Sequence, residues 1–451
     1  MTQRQLSVSD MGNPAQAFPG AEGETRHGIG AAVGLGIEYQ GNDNFYRLLD
    51  ALGRDDALAP GDGGGDGGGG SGGGTGPGDD TGRPGGDIDI DNPELEALIA
   101  RIKQEAIVLG SLIAVAATDL NAKVFTSANL PVLISSDALG GAWSFSANYS
   151  IITNLRGVRE PIEFDAQKAL ETLQTALQDR PTEITTYELG GGASITVDPA
   201  TGETRFRFSN DSATLFKAAQ VTEIAVAYSR SIWSREEKAV HIGLRPKYLD
   251  VGLSNTTVPI ADLKNAKSIF DALDKQSFSY SRQISLDLGL TWTTKRYQLG
   301  ATLTNLNQPE FHYPPSDLSS FSNPRIINTI RDLETYTMER QLKLEGGMVT
   351  PGGAWGLSLG LDANPVPDPM GNDYQWLSVS AGFASANWWL PGARLGVRKN
   401  LAGSELTYLT AGLTLFNNVN LDLASTAETI NIDGTTLPRG FIGNLSVQFV
   451  F

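Results

Sequence analysis

From Val124 to the end of the chain, apolar and polar residues alternate with a period of two. Trp143, Phe145, Ala147, Tyr149 and Ile151 alternate with Ser144, Ser146, Asn148 and Ser150. Ile284, Leu286, Leu288, Leu290 and Trp292 alternate with Ser285, Asp287, Gly289 and Thr291, and Tyr297, Leu299, Ala301 and Leu303 repeat the pattern after a turn at Lys295-Arg296. Trp355 to Asp362 and Ala393 to Arg398 follow the same rule. Successive side chains of a strand point to opposite faces, so this period predicts strands with one apolar and one polar face. Each run is about 9–11 residues, the length a tilted strand needs to cross a hydrocarbon layer. Counting the runs gives about 14–16 strands, within the range of membrane barrels.

Alternation also fits a soluble antiparallel sheet with one wet face. Three features favour a membrane. Aromatic residues collect at strand ends (Trp143, Tyr149, Trp292, Tyr297, Trp355, Trp388, Trp389), where girdles meet the lipid–water interfaces. The polar face carries Ser, Thr, Gly, Asn and charges of both signs, as a wet lumen would. A soluble sheet this large would need helices to cover it, and the chain predicts few. The last run, Phe441-x-Gly443-x-Leu445-x-Val447-x-Phe449-x-Phe451, ends the sequence on an aromatic residue. It resembles the terminal strand of bacterial outer-membrane barrels, which implies that Phe449 and Phe451 are read by the barrel assembly machinery. In water the same strand would be an aggregation-prone edge.

The rest of the chain decorates this sheet. Residues 1–30 are irregular and hold Asn13-Pro14-Ala15, Phe18 and Pro19-Gly20. Two nearby prolines exclude a strand, and non-helical backbone at membrane depth needs a lumen around it. The segment, with Asn13, Pro14, Ala15 and Phe18, is therefore expected to plug a barrel formed by residues 31–451. Residues 61–86 hold 16 of the 52 glycines and should be a disordered linker. Asn92-Pro93 caps a predicted helical insertion at 92–122, where Leu95, Leu98, Ile99 and Ile102 share a face. Shorter helices are expected around Ala166–Leu177 and Leu263–Leu273. The Gly190-Gly191-Gly192 and Gly34-x-Gly36 segments are expected to relax strand curvature. The expected fold is all-β: a transmembrane antiparallel barrel with a plug-like N-terminal segment and a few inserted helices.

Charge and chemistry change this picture little. The chain has 34 basic and 51 acidic residues, a formal charge of −17, which gives it no electrostatic reason to bind nucleic acid. It has no Cys and three scattered His, so no disulfide, metal site or cofactor is expected. No apolar run reaches the ~18 residues of a spanning helix. Met1–Gln5 has no apolar signal core, so the expectation is a signal removed before this numbering starts. No nucleophile elbow, phosphate loop or zinc helix occurs, and His312 has no serine motif beside it, so no enzyme is expected. Parity instead turns Glu223, His241, Arg245, Lys247, Asp287, Asp362, Arg394 and Arg398 away from lipid. They would form either a selectivity lining or a paired network that fills the wall. Leu288→Arg should cost about 2–4 kcal/mol at the bilayer midplane, and Asp287→Asn far less.

Gly243-Leu244-Arg245-Pro246-Lys247-Tyr248 resembles a strand of FadL-type barrels. The hairpin Ile284 to Leu306, with Leu286-Asp287-Leu288-Gly289-Leu290 and Thr304-Asn305-Leu306-Asn307, is similar to the same group. The nearest likeness is the conjugal-transfer TraF barrel family, distinct from the thioredoxin-like TraF. Trp388-Trp389-Leu390-Pro391-Gly392 through Phe451 and the Asn13-Pro14-Ala15 triplet carry it too, and it leaves out Gly53 to Ala122. The resemblance implies a channel or transporter for small or apolar molecules in a Gram-negative outer membrane. The alternative is a non-conducting structural barrel serving a conjugation or secretion apparatus. Its implied partners are outer-membrane lipid and lipopolysaccharide, the assembly machinery, an apolar small-molecule ligand, and conjugation or secretion proteins.

Overall fold

The computed structural model describes residues 13, 27–40, 121–136, 140–160, 172, 175, 182–190, 193–200, 204–208, 211–259, 277–385, 387–432 and 435–450. Their main element is a closed barrel of fourteen antiparallel strands, each bonded to its neighbours in chain order. The first seven are β1 (His27–Gln40), β2 (Asn121–Ser136), β3 (Gly141–Val158), β4 (Ala213–Arg235), β5 (Lys238–Pro259), β6 (Ser279–Thr293) and β7 (Tyr297–Thr304). The others are β8 (Gln341–Val349), β9 (Trp355–Asp362), β10 (Trp376–Phe383), β11 (Gly392–Asn400), β12 (Thr407–Leu415), β13 (Val419–Thr426) and β14 (Gly440–Val450). β1 closes the ring on β14, with Ile29 opposite Phe449 and Glu38 opposite Gly440. Closure matters because an open sheet edge would leave unpaired backbone groups in lipid.

The outer face is apolar. Leu244, Leu288, Leu290, Leu299, Leu359, Leu395, Leu409 and Leu445 all point outward and are exposed. On β5 the outward row runs from Ile242 through Leu244 to Tyr248 and then meets Asp250, which pairs with exposed Arg282 of β6 at 3.4 Å. That ion pair marks where lipid contact stops. On β14, outward Phe441 and Phe449 are eight residues apart, about 27 Å along a strand at ~3.4 Å per residue. At the ~40° tilt usual for such barrels this is about 20 Å of depth, close to the ~25 Å apolar band.

The two ends differ. Both chain ends of the wall, His27 and Val450, lie at one rim, where connections are short: 236–237, 294–296, 350–354 and 416–418. Glu236, Phe416 and Asn417 take positive φ in these tight turns. At the opposite rim the connections are long and carry small sheets, including the three-stranded Thr185–Phe208. We call these the turn end and the loop end. In membrane barrels short turns face the periplasm and long loops the outside.

Two loop-end connections fold back into the mouth. The 305–340 segment carries α1 (Pro324–Asp332), which Asn323 caps by accepting from Arg325 N at 2.9 Å. Ile326 and Ile330, one turn apart, bury their side chains against Val158, Ala213 and Leu215 of β3 and β4. Asp211 and Glu160 hold Ser322 and Asn323 at the helix start. The second connection, 363–375, ends in a two-residue hairpin, Val366–Pro367 with Asp373–Tyr374. Phe311, Tyr313, Tyr336 and Met370 of these connections form one core with Ala219 of β4 and Leu249, Val251 and Leu253 of β5.

Several boundaries differ from the sequence reading. β1 starts at His27, so the wall takes in four residues assigned to the N-terminal segment, and β2 starts at Asn121, inside the expected helical insertion. The 61–86 tract and the helices expected at 92–102 and 263–273 lie outside the described residues; of 166–177 only Thr172 and Thr175 are described, both helical. Gly36 serves room rather than curvature. It faces the lumen opposite Phe125, whose ring atoms would lie 2.1–2.6 Å from an added β-carbon.

Candidate functional site

The lumen wall gathers the sequence-selected charges into separate groups, because residues two apart on one strand and opposite each other on neighbouring strands share a face. The tightest group lies on β3 to β7. Arg245 is opposite Asp287 in register and bonds it through Nη2 at 2.7 Å and Nε at 2.8 Å. Lys247 reaches Asp287 Oδ1 at 3.0 Å and Glu223 at 3.7 Å. Asn148 of β3 donates to Glu223 at 3.2 Å. Asn305, at positive φ just after β7, donates its N–H to Asp287 at 2.9 Å and accepts from Lys247 at 2.8 Å. Asp287 is wholly enclosed. Two cations and two carboxylates thus balance, with every strong donor engaged. This makes Asp287 the centre of a network, against the expectation that its charge could be removed cheaply.

Arg394 of β11 sits elsewhere, towards the turn end. It bonds Asp422 of β13 at 2.6 Å, two strands away, and donates to Thr414 at 2.7 Å and Asn420 at 3.2 Å. The strand between them places Gly412 opposite both residues, and a β-carbon there would lie 2.1 Å from Asp422 Oδ1. Glycine leaves the gap through which arginine reaches. Gly412→Ala is expected to split this half-exposed pair at a cost of no more than ~1 kcal/mol, because such pairs are solvent-screened. A urea titration of the refolded barrel measures it; a larger loss would mean that the backbone shifts too.

Arg398 packs its guanidinium over the Trp376 ring, 3.7 Å from the centroid. Beside it Tyr408 donates to Glu38 of β1 at 2.7 Å. Asp362 accepts the Trp376 N–H at 3.0 Å and stands opposite Lys343. His241 is enclosed near the turn end with Nε2 3.2 Å from Thr293 Oγ1. His312 points to solvent, with Nε2 3.4 Å from Glu310 and Nδ1 3.5 Å from Thr335 Oγ1.

Of the N-terminal candidates, Asn13 is described and Pro14, Ala15 and Phe18 lie outside the described residues. Asn13 is 0% exposed, and its amide donates to the carbonyls of Leu290 (3.2 Å) and Ala301 (3.5 Å), opposite residues of β6 and β7. The outward side chain of Leu290 is 48% exposed. A wholly enclosed group at this point of the wall must lie on the other face, inside the barrel. Phe449 points outward on β14; Phe451 lies outside the described residues.

Sequence reading missed the cations of the loop-end mouth. Lys123 of β2 bonds Asp368 of the 363–375 connection at 2.8 Å. Lys217 of β4 donates to Leu333 O and lies 4.2 Å from the Tyr313 ring centroid. Parity on β2 and β4 carries the signal for both. Tyr313 donates to Pro369 O. Burial pushes the Tyr313 hydroxyl well up, and burial with Asp362 and Asp368 pushes Tyr374 up to about 12.

The sequence profile of the family described as "F plasmid transfer operon, TraF, protein" matches residues 10–362. The chain belongs to that family. The match spans Gly53 to Ala122, which the resemblance left out, and stops before Trp388–Phe451, which the resemblance included. No curated protein sequence matches the chain. Similar solved structures include a mutant of the monoaromatic hydrocarbon channel TodX, 10% identical over 99% of this chain and 94% of that one, with a TM-score of 0.38. A mutant porin of Rh. blastica is 9% identical over 94% and 99% of the two chains, with a TM-score of 0.25.

Proposed function

We propose that the protein is an outer-membrane channel or transporter of a Gram-negative envelope, passing small or apolar molecules, with the segment around Asn13 as its plug. The observation that carries this is Asn13 itself. A barrel built only as a scaffold can fill its bore with wall side chains, as the Asp287 network does. Here a residue outside the strands is lodged inside, with its side-chain amide on two wall carbonyls. Terminal-strand recognition through Phe449 and Phe451 by the assembly machinery, and contacts with lipopolysaccharide, belong to the same proposal.

Membership of a plasmid-transfer family favours a second reading, a non-conducting barrel that docks conjugation or secretion proteins. Deleting residues 2–26, which leaves β1 whole, separates the two. The channel reading expects a folded, heat-modifiable barrel with raised conductance in planar bilayers. A folded deletion variant that conducts no more than the full chain would favour the scaffold.

A further inference from the structure

The 363–375 connection is rooted between β9 and β10, yet its tip touches the opposite wall. In a ring of fourteen strands β2 is seven strands from β9, and β3 is seven from β10. Asp368 Oδ2 reaches Lys123 of β2 at 2.8 Å, while Oδ1 accepts from Met370 N and Asn372 N at 2.9 Å each and shapes the turn. Gly371 lies against Arg156 of β3: a β-carbon there would stand 3.8 Å from Nη1. Met370 is wholly enclosed against β4 and β5. The connection is a strap across the mouth.

The wall it reaches is rich in cations. Asn154 of β3 stands opposite Lys123 on one side and Lys217 on the other, and Arg156 is two residues along on the same face. Among the described residues neither Arg156 nor Lys217 has a carboxylate within salt-bridge distance, and Asp368 is bonded to Lys123. Asn154 is 5% exposed, and neither of its amide atoms has a hydrogen-bond partner among the described residues. An enclosed amide with both ends unused is costly unless something occupies the site in another state.

We propose that the mouth holds a binding site for a carboxylate-bearing solute, built from Lys123, Asn154, Arg156 and Lys217, which Asp368 of the strap fills when the mouth is closed. An incoming carboxylate takes Lys123 from Asp368, gains the idle Asn154 amide and the positive charge of Arg156 and Lys217, and frees the strap tip. Asp368 is then a tethered competitor, and strap opening is linked to the anion. This deepens the channel reading by naming a solute class. Its test follows strap movement rather than conductance, so the two readings fail separately.

The chain has no cysteine, so a single one reports alone. Met370→Cys in the full-length refolded barrel is labelled with a water-soluble maleimide in sodium chloride, acetate or phosphate of equal ionic strength. Heat-modifiable mobility checks the fold, and Val366→Cys, also buried on the strap, is the second reporter should the first fail to fold. Labelling should be slow in chloride and about tenfold faster once Asp368→Asn is added, the factor that ~1.4 kcal/mol of lost latch represents. Acetate should speed labelling of the intact latch, and Lys123→Gln should abolish the difference between acetate and chloride. Equal rates in acetate and chloride, or no effect of Asp368→Asn, would overturn the proposal. Acceleration by phosphate alone would overturn the carboxylate assignment.

Discussion

Asp287→Asn is expected to destabilise the barrel by about 3–5 kcal/mol, the cost of leaving a buried partner charge uncompensated. The carboxylate is wholly enclosed, and both Arg245 and Lys247 bond to it. With it gone, two cations face Glu223 alone, at 3.7 Å from Lys247. The amide cannot restore the balance, since it offers one neutral acceptor and adds donors towards cations that have none to receive them. The loss should appear as a lower urea midpoint with an unchanged slope. Asp287→Asn combined with Lys247→Met should recover much of it, because removing both partners of a buried pair is often near neutral. If the single variant is as stable as the parent, the lumen at this level is wet enough to screen the pair. This replaces the sequence expectation of a small cost for Asp287→Asn with a large one, and follows the paired-network reading of that residue.

That reversal shows where sequence legibility ends. Alternation on β6 is local, so Asp287 could be placed on the polar face and Leu288 on the apolar one from the residues alone. Which charges meet depends on register between strands, and register is a long-range property. Arg394 and Asp422 are 28 residues apart and meet only because Gly412 lies between them in the sheet. Asn305 was visible as part of a Thr-Asn-Leu-Asn segment, yet its place between Lys247 and Asp287 follows from how the chain leaves β7. The helix at Pro324–Asp332 was legible and went unread: Asn323-Pro324 repeats the Asn-Pro start recognised at Asn92-Pro93, and Ile326 and Ile330 supply the spacing. The proline-rich 363–375 strap gave only a loop signal, since its meaning lies on the far wall.

Leu288→Arg is expected to cost about 2–4 kcal/mol, and the same change at Ile284 only ~0–1 kcal/mol. Leu288 is the middle of the outward row Ile284, Leu286, Leu288, Leu290 and Trp292, and it is flanked in register by Leu244 and Leu303. A guanidinium there has apolar neighbours on both strands and no polar group within the row. Ile284 is two residues from Arg282, which already stands outward at the rim with Asp250 as partner. An arginine at 284 can extend its charge to that level, whereas one at 288 must cross another turn of the pleat to reach it. Folding free energies in lipid vesicles, from urea titration, give both values on one scale. A depth gradient in that order fixes the midplane near Leu288 and so puts the Asp287 network at the centre of the bore. Equal costs at the two positions would move the band, and with it the level at which Asn13 meets β6 and β7.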